Sequence, residues 1–309
     1  MTIWITGANG FIGRHLARAL ADGEEAIHGI GHGHLESPDR ERIGLGDWIN
    51  GEIDAANLSA LLVARGKPSM IFHLAGGASV GFSLAHPYED FSRTVASTAR
   101  LLEWMRVAAP DCRLVVASSA AVYGAGHQAG IHAGDATLPM SPYGQHKLMM
   151  EQLCSSYALS YGLNSTIVRL FSVYGAHLRK QLLWDLCSRL RTGESPLTLG
   201  GTGDELRDWT DVRDVARLLV WVGRQAQQKT FQVLNGGSGR GTRVADIAAI
   251  LTGAWGGGVP VAFSGIRRGG DPVNLVAALE ERGPDEFSWS IPVESGIPDY
   301  VRWFKDQVR

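Results

Sequence analysis

The sequence has few cysteines, almost no net charge and no long apolar run. Its three cysteines, Cys112, Cys154 and Cys187, are far apart and odd in number, which favours reduced thiols over a disulfide framework. The net charge of −2 provides no basic field for nucleic acid or for a membrane surface. No apolar stretch approaches the ~18 residues of a transmembrane helix, and no basic-then-apolar leader precedes the first strand. We therefore expect a cytoplasmic protein that binds neither nucleic acid nor membranes.

What the sequence does have is a regular alternation of apolar runs and helical patterns over its first half. The predicted strands are 2–6, 26–30, 70–76, 113–119 and 165–171. The predicted helices between them are 14–21, 57–66, 89–108 and 143–162. This alternation predicts an α/β fold with a doubly wound parallel, Rossmann-type sheet that binds ligands at the carboxyl ends of its strands.

The rhythm changes after about residue 170, which predicts a smaller and less regular C-terminal domain. The elements expected there are a helix over 178–193, a short strand at 197–201, an entry loop and helix over 207–225, and a last helix near 296–308. We thus predict a dinucleotide-binding domain over 1–170 and a substrate domain over 171–309, with segments of the second part returning to the first. The 309 residues suffice for two such domains.

Three glycines stand at every third position of "TGANGFIGRHL", between the first predicted strand and the first helix. Gly7, Gly10 and Gly13 allow a tight turn and a close contact between helix and strand. They also allow backbone N–H groups at the helix start to approach a diphosphate. The usual dinucleotide fingerprint is G-x-G-x-x-G. Because the spacing here is G-x-x-G-x-x-G, the trio alone leaves both interpretations open.

A second pattern, "SPYGQHK", places Tyr143 and Lys147 four residues apart, so that both side chains project from one helix face about 6 Å apart. A phenol with a pKa near 10 is a poor catalyst at neutral pH, and a neighbouring ammonium lowers that pKa. Ser118 and Ser119, at the end of a predicted strand, could hold a substrate oxygen. The alternative is an ordinary exposed Tyr/Lys pair on a helix.

Taken together, "TGANGFIG", "HLAG", "SSAAVYG", "YGQHK", "RLFSVYG", "GTGDELRDWTDVRDVA" and "RRGGD" occur in the order and at the intervals of the extended short-chain dehydrogenase/reductase family. The chain resembles the nucleotide-sugar epimerase and 4-ketoreductase group of that family over nearly its whole length. This resemblance implies a nicotinamide dinucleotide cofactor, a nucleotide-diphosphate sugar substrate and a homodimer built on helices 89–108 and 143–162.

The resemblance also implies roles for individual residues. Tyr143 is expected to be the acid–base residue, Lys147 its partner and a ribose ligand, and Ser119 the hydroxyl that orients the reacting oxygen. The residues expected to bind the cofactor are Gly7, Asn9, Gly10, Phe11, Ile12, Gly13, Arg14, His32, Glu52, Ile53, Leu74, Ala75, Gly76, Ser118, Tyr143 and Lys147. Those expected to bind the substrate are Ser119, Ser172, Arg207 and Arg268.

Some positions depart from the family pattern. Thr94 and Ser172 stand where relatives often have asparagine. Ala120 and Ala121 replace the acidic pair of the sugar 4,6-dehydratases, so we do not expect dehydration. The histidines in "HGIGHGH" (His28, His32 and His34) suggest a metal site only weakly, and we expect none.

The second predicted strand lacks the acidic residue that holds the ribose hydroxyls in NAD-binding relatives. Arg14, His32, His34 and either Arg40 or Arg42 could instead meet a 2′-phosphate. We therefore predict NADP, with NAD as the alternative. An exchangeable NADPH suits net reduction, so the favoured function is reduction of a nucleotide-diphosphate 4-keto-6-deoxy sugar. The alternatives are a 4-epimerase with tightly bound NAD and a catalytically silent cofactor-binding scaffold.

Overall fold

The computed structural model describes residues 1–225, 230–266, 271–278 and 287–307. Its strands are β1 (Thr2–Thr6), β2 (Ala26–Gly31), β3 (Asp47–Asn50), β4 (Met70–His73), β5 (Arg113–Ser119), β6 (Ser165–Leu170), β7 (Ser172–Tyr174), β8 (Leu197–Leu199), β9 (Leu206–Asp211), β10 (Phe231–Gly236), β11 (Gly241–Arg243), β12 (Val261–Phe263) and β13 (Asn274–Leu275). Its helices are α1 (Phe11–Leu20), α2 (Ser37–Arg42), α3 (Ala55–Arg65), α4 (Val80–Ala85), α5 (Pro87–Phe91), α6 (Ser97–Ala108), α7 (Pro142–Tyr161), α8 (Gln181–Arg191), α9 (Val212–Arg224), α10 (Val244–Trp255) and α11 (Val293–Asp306).

The central sheet has seven strands in the order β10-β6-β5-β4-β1-β2-β3. Strands β1 to β6 pair in parallel, with Thr6 of β1 opposite both Ile30 of β2 and His73 of β4. Helices connect successive strands, as a parallel sheet requires. The predicted doubly wound, Rossmann-type α/β fold is confirmed.

The chain divides into two compact units, and the first takes in residues 1–123, 136–170 and 216–235. The core of this unit is apolar on both faces of the sheet, which explains the nearly continuous apolar runs of its strands. Trp4 on β1 and Trp104 on α6 are buried and stack with ring centroids 5.3 Å apart. This core holds the carboxyl ends of β1, β4 and β5 in fixed positions.

The second unit takes in residues 124–135, 171–215 and 236–309. Its larger sheet pairs β9 with β11 antiparallel and with β7 and β13 in parallel, and β8 pairs with β12. The prediction of an entry loop at the start of 207–225 was wrong, because Leu206–Asp211 form β9. Its polar Asp208 is fully buried, and its carboxylate accepts hydrogen bonds from the backbone N–H groups of Ser238 and Gly239.

A helical segment between β4 and β5 is more complex than the single predicted helix over 89–108. It consists of α5, a π-helical turn at Ser92–Ala96 and α6. Such turns insert one extra residue into a helix and often occur at functional sites. No helix in the described part of the chain is long and apolar enough to cross a membrane.

Candidate functional site

The glycine turn after β1 is built from close backbone contacts. Gly7 has a φ of 72°, a left-handed conformation that favours glycine, and its N–H donates to the carbonyl of Ile30 at 2.7 Å. A Cβ on Gly13 would overlap the Gly7 carbonyl oxygen and the backbone of Ala8. The absence of a side chain at Gly13 is therefore explained by the first interpretation, a tight turn with a close contact between helix and strand.

The same turn also fits a diphosphate. Helix α1 starts directly after Gly10, which caps it without a side-chain hydrogen bond. The first N–H groups of such a helix need an acceptor, and the helix dipole makes an anion a suitable one. The amides of Phe11, Ile12 and Gly13 lie at a helix start that can hold the pyrophosphate of a dinucleotide, and their contact with it stays a prediction.

Arg14 is not free at the start of α1. Its Nη2 donates to Asn9 Oδ1 at 2.5 Å, and its Nε donates to the Asn9 carbonyl at 3.1 Å. Asn9 in turn donates from Nδ2 to the carbonyls of His32 and His34, both at 3.4 Å. The guanidinium expected to meet a 2′-phosphate instead braces the loop after β2.

The exposed rim beyond this loop carries a carboxylate. His32 Nε2 lies 3.3 Å from Glu52 Oε1, and Arg100 Nη1 lies 3.8 Å from Glu52 Oε2. Ile53, the next residue, is buried in the core. The predicted adenosine end of the site is therefore a mixed-charge rim rather than a basic one.

The loop after β4 is held by hydroxyl groups. The N–H of Ala75 donates to Thr6 Oγ1 at 3.3 Å, and the N–H of Gly77 donates to Thr94 Oγ1 at 2.7 Å. A Cβ on Gly76 would lie 3.4 Å from Lys147 Nζ. The structure thus brings the predicted cofactor segment Leu74–Gly76 next to the predicted lysine.

Ser119 lies at the end of β5 and caps a short 3₁₀ turn at Ala120–Val122. Its Oγ accepts a hydrogen bond from the N–H of Ala121 at 3.2 Å and also bonds to the phenol of Tyr143. The two residues are thus brought together as expected.

Tyr143 stands in the first turn of α7, which begins at the Ser141-Pro142 pair. Ser141 Oγ accepts from the N–H of Gly144 at 3.2 Å, and proline is suited to the first helical position. The N–H of Tyr143 donates to Ser83 Oγ at 3.0 Å. Burial raises the pKa of Tyr143, and the hydrogen bond with Ser119 lowers it in part.

Lys147 follows one turn later and is only 4% exposed. Its Nζ donates to the carbonyl of Ala117 at 2.9 Å and lies 6.0 Å from the centroid of the Tyr143 ring. Burial lowers the pKa of Lys147 to about 8, against the opposing effect of Asp90 and Glu151. The ordinary exposed Tyr/Lys pair is therefore not what the structure contains.

A buried polar group behind the site was not anticipated. Ser118, which was expected to contact the cofactor, donates from Oγ to Glu151 Oε1 at 2.5 Å. Arg169 Nη2 binds the other oxygen of Glu151 at 2.7 Å. The buried imidazole of His73 bonds to Thr98 at 2.9 Å, and burial lowers its pKa to about 3. The sequence signal that could have indicated this buried group is the presence of polar residues at the ends of apolar strands.

Apart from Ser119, the predicted substrate residues belong to the second unit. Ser172 is half-buried at the start of β7. Arg207 on β9 donates from Nη1 to the carbonyls of Leu206 at 2.9 Å and Pro272 at 2.7 Å, and burial lowers its pKa. Arg268 lies outside the described residues.

The three histidines of "HGIGHGH" do not converge. His28 Nδ1 lies 3.2 Å from Asp47, while His32 and His34 meet the different carboxylates Glu52 and Glu36. Within the described residues there is no group of three or more potential metal ligands.

Comparisons with known proteins identify the family of the chain. The sequence model of the NAD dependent epimerase/dehydratase family matches residues 3–237. A UDP-glucose 4-epimerase of Azospirillum brasilense is 30% identical over 97% of this chain and 90% of that protein. The chain belongs to the NAD dependent epimerase/dehydratase family, and the resemblance found in its motifs is confirmed.

Solved structures are also similar. A UDP-glucuronic acid 4-epimerase from Bacillus cereus, in complex with UDP-glucuronic acid and NAD, has a TM-score of 0.86 and 26% identity, covering 99% of this chain and 100% of that one. MoeE5, in complex with UDP-glucuronic acid and NAD, has the same TM-score at 28% identity, covering 99% and 100%.

Proposed function

We propose that this protein is a nucleotide-sugar 4-epimerase that works with tightly bound NAD and acts on UDP sugars. The observation that carries the proposal is the arrangement of Ser119, Tyr143 and Lys147, with the serine hydroxyl bonded to the phenol and the ammonium on the same face of α7. Relatives whose names include this activity support the choice of reaction.

The chain's own groups would move one proton. Tyr143, as the phenolate, takes the proton from the 4-hydroxyl of the sugar and later returns it to the same oxygen. Ser119 donates a hydrogen bond to that oxygen and holds it near the phenol. Lys147 stabilises the phenolate by its charge. Bound NAD would supply the hydride acceptor and donor for C4 of the sugar.

The cofactor proposal departs from the sequence analysis, which favoured NADP. Arg14 keeps its positive charge, but two of its three guanidinium nitrogens are already bonded to Asn9, which leaves fewer N–H groups for a 2′-phosphate. His32 and Arg100 both lie against the Glu52 carboxylate, which would repel a second negative group. These contacts support NAD, which is also the cofactor in the similar complexes.

The reductase interpretation loses support along with NADPH. Both reactions use the same serine, tyrosine and lysine, so these residues do not discriminate between them. The inference of net reduction depended on an exchangeable NADPH. The relatives that resemble this chain instead support the epimerase alternative.

On the substrate side we propose that Arg207 binds the diphosphate of the nucleotide sugar, because a guanidinium can bind two phosphate oxygens. Its Nη1 is already held by two carbonyls, which fixes the direction of the fork. Ser172 and Arg268 remain predicted contacts to the same substrate.

The test is epimerisation without added cofactor. Purified protein is incubated with UDP-glucose or UDP-glucuronic acid, and the 4-epimers are separated by chromatography; Tyr143→Phe is the control. We expect conversion of at least one substrate by the wild type and none by the variant. A strict requirement for added NADPH and a 4-keto sugar would instead establish the reductase.

We also propose a homodimer, as the sequence analysis predicted. Large apolar side chains are exposed on α6 and α7, including Val107, Leu159 and Tyr161 at 69%, 82% and 56%. Burial of this face against a second copy would remove it from water. The mass in solution, measured by light scattering, tests this proposal, and a monomer at micromolar concentration would contradict it.

A further inference from the structure

A second titratable pair, which was not predicted from the sequence, lies beside the Tyr143–Lys147 pair. His146 Nδ1 bonds to Asp90 Oδ2 at 2.6 Å across 56 residues of sequence. The Asp90 side chain is fully buried, and that of His146 is 11% exposed. A buried carboxylate is costly unless it serves as a counter-ion or accepts strong hydrogen bonds.

Glycine makes room for this carboxylate. A Cβ on Gly77 would overlap Asp90 Oδ1, so the carboxylate fills the space that a side chain at position 77 would take. The N–H of Gly77 is bonded to Thr94 in the π-helical turn, which continues directly from α5. Asp90 is therefore packed against the loop predicted to line the cofactor channel.

One oxygen of Asp90 is left without a hydrogen-bond partner among the described residues. Oδ2 bonds to His146, and Oδ1 is buried with none. An orphaned carboxylate oxygen costs free energy, so a compensating interaction is expected. The Asp90 charge acts on the buried ammonium of Lys147, which can compensate it.

The buried charges around the site can be matched in two pairs, Arg169 with Glu151 and Lys147 with Asp90. The ionisable groups that face Lys147 are His73 from β4, Asp90 from α5, and Tyr143 and Glu151 from α7. Glu151 is neutralised by its bonds to Arg169. Asp90 is then the carboxylate available to compensate the ammonium.

We propose that Asp90, oriented by His146, is a positioning residue that sets the protonation of both Tyr143 and Lys147. The inference rests on the proposed function only in that Tyr143 and Lys147 are the working groups. In this proposal His146, the histidine of "YGQHK", acts by orienting Asp90 and does not contact the substrate.

The sign of the effect is the same for both groups. The negative charge of Asp90 raises the pKa of Lys147 and that of Tyr143. Removing it lowers both values, so the phenol ionises earlier and the ammonium is lost earlier as pH rises. A charge in this position shifts a buried neighbour by about one pKa unit or more. Both limbs of the pH profile of kcat then move to lower pH.

The experiment compares Asp90→Asn with Glu89→Gln. Asparagine keeps the shape and can still accept a hydrogen bond from His146, while Glu89, the adjacent residue, is exposed and paired with Arg93. We expect Asp90→Asn to move both limbs down by about one pH unit and Glu89→Gln to leave them in place. A lower rate with unmoved limbs would overturn the proposal and leave Asp90 a structural role. If Asp90→Asn does not fold, Asp90→Ser removes the same charge with a smaller side chain.

A second measurement needs no turnover. Tyrosinate absorbance is titrated in NAD-loaded protein, and the signal of Tyr143 is isolated by subtracting the Tyr143→Phe form of each protein. A lower midpoint in the Asp90 variant supports the inference even if no UDP sugar is epimerised, which separates its failure from that of the proposed function. An unchanged midpoint overturns the inference even in an active epimerase.

Discussion

Burial of the Lys147 ammonium beside Tyr143 lowers the stability of the folded protein, and Lys147→Met measures this effect on the free energy of unfolding. In the folded protein burial lowers the pKa of Lys147 from 10.5 to about 8, whereas the unfolded chain keeps the ordinary value. One pKa unit corresponds to about 1.4 kcal/mol, so the full difference is worth about 3 kcal/mol. Because the unfolded state binds the proton more tightly, the contribution of this lysine to stability rises with pH between about 8 and 10.5.

The assay is urea unfolding of the wild type and of Lys147→Met near pH 7 and near pH 10. The free energy of unfolding of the wild type minus that of the variant should increase by about 2–3 kcal/mol over this interval. The subtraction cancels the titration of groups that do not interact with Lys147. The control is Lys67→Met, because Lys67 is exposed and pairs with Asp111 at the surface. Its difference should stay nearly constant.

A difference for Lys147→Met that stays constant or falls with pH would refute the reasoning. It would mean that the ammonium is solvated in the folded protein, and that Lys147 is an ordinary lysine. The variant should also lose turnover, because nothing else in the cluster of Ser119, Tyr143 and Lys147 carries a positive charge.

Three further changes test the rest of the site. Tyr143→Phe should reduce turnover by about 10²–10⁴-fold with NAD binding nearly unchanged, measured by steady-state kinetics and calorimetry. Gly13→Ala should cost about 1–3 kcal/mol of stability in urea unfolding and weaken NAD binding, because the new Cβ would overlap backbone atoms, which cannot move aside as a side chain can. Gly10→Ala, whose Cβ would lie 3.0 Å from one oxygen, should have a smaller effect. Equal effects of the two substitutions would contradict this packing. Arg207→Ala should raise KM for the UDP sugar about 10–100-fold. The control Arg243→Ala should leave KM unchanged, because Arg243 is exposed and pairs with Asp246. An unchanged KM in Arg207→Ala would exclude the diphosphate contact.

The parts of the fold that local pattern determines were predicted from the sequence. Strands β1 and β5 run over 2–6 and 113–119, as predicted, because their apolar runs end sharply at Gly or polar residues. The Tyr143–Lys147 spacing predicts a shared helix face, since four residues make about one turn of a helix. The hydroxyl opposite, Ser119, follows from its place at a strand end.

The elements that were missed depend on distant partners. Strand β9 contains the charged sequence "RDWTD" and was taken for a loop, because the backbone groups that satisfy Asp208 come from residues 30 positions later. The Asp90–His146 pair joins two helices that are far apart in the chain. It also requires the absence of a side chain at Gly77, because the Asp90 carboxylate fills that space. The local sequence shows each of these residues, but it does not show that they lie in contact in the fold.

Arg14 shows how one such contact changes a functional conclusion. Beside the last fingerprint glycine, and with no carboxylate at the end of the second strand, this arginine suggested a 2′-phosphate and hence NADPH. NADPH in turn suggested net reduction. In the structure the guanidinium is bonded to Asn9, which itself holds the loop after β2 through the His32 and His34 carbonyls. The arginine is therefore part of the loop's support, and to bind a phosphate it would have to give up that role. Because the preference for a reductase depended on Arg14 as a ligand of a 2′-phosphate, its bonds to Asn9 remove that reason to prefer a reductase over the proposed epimerase.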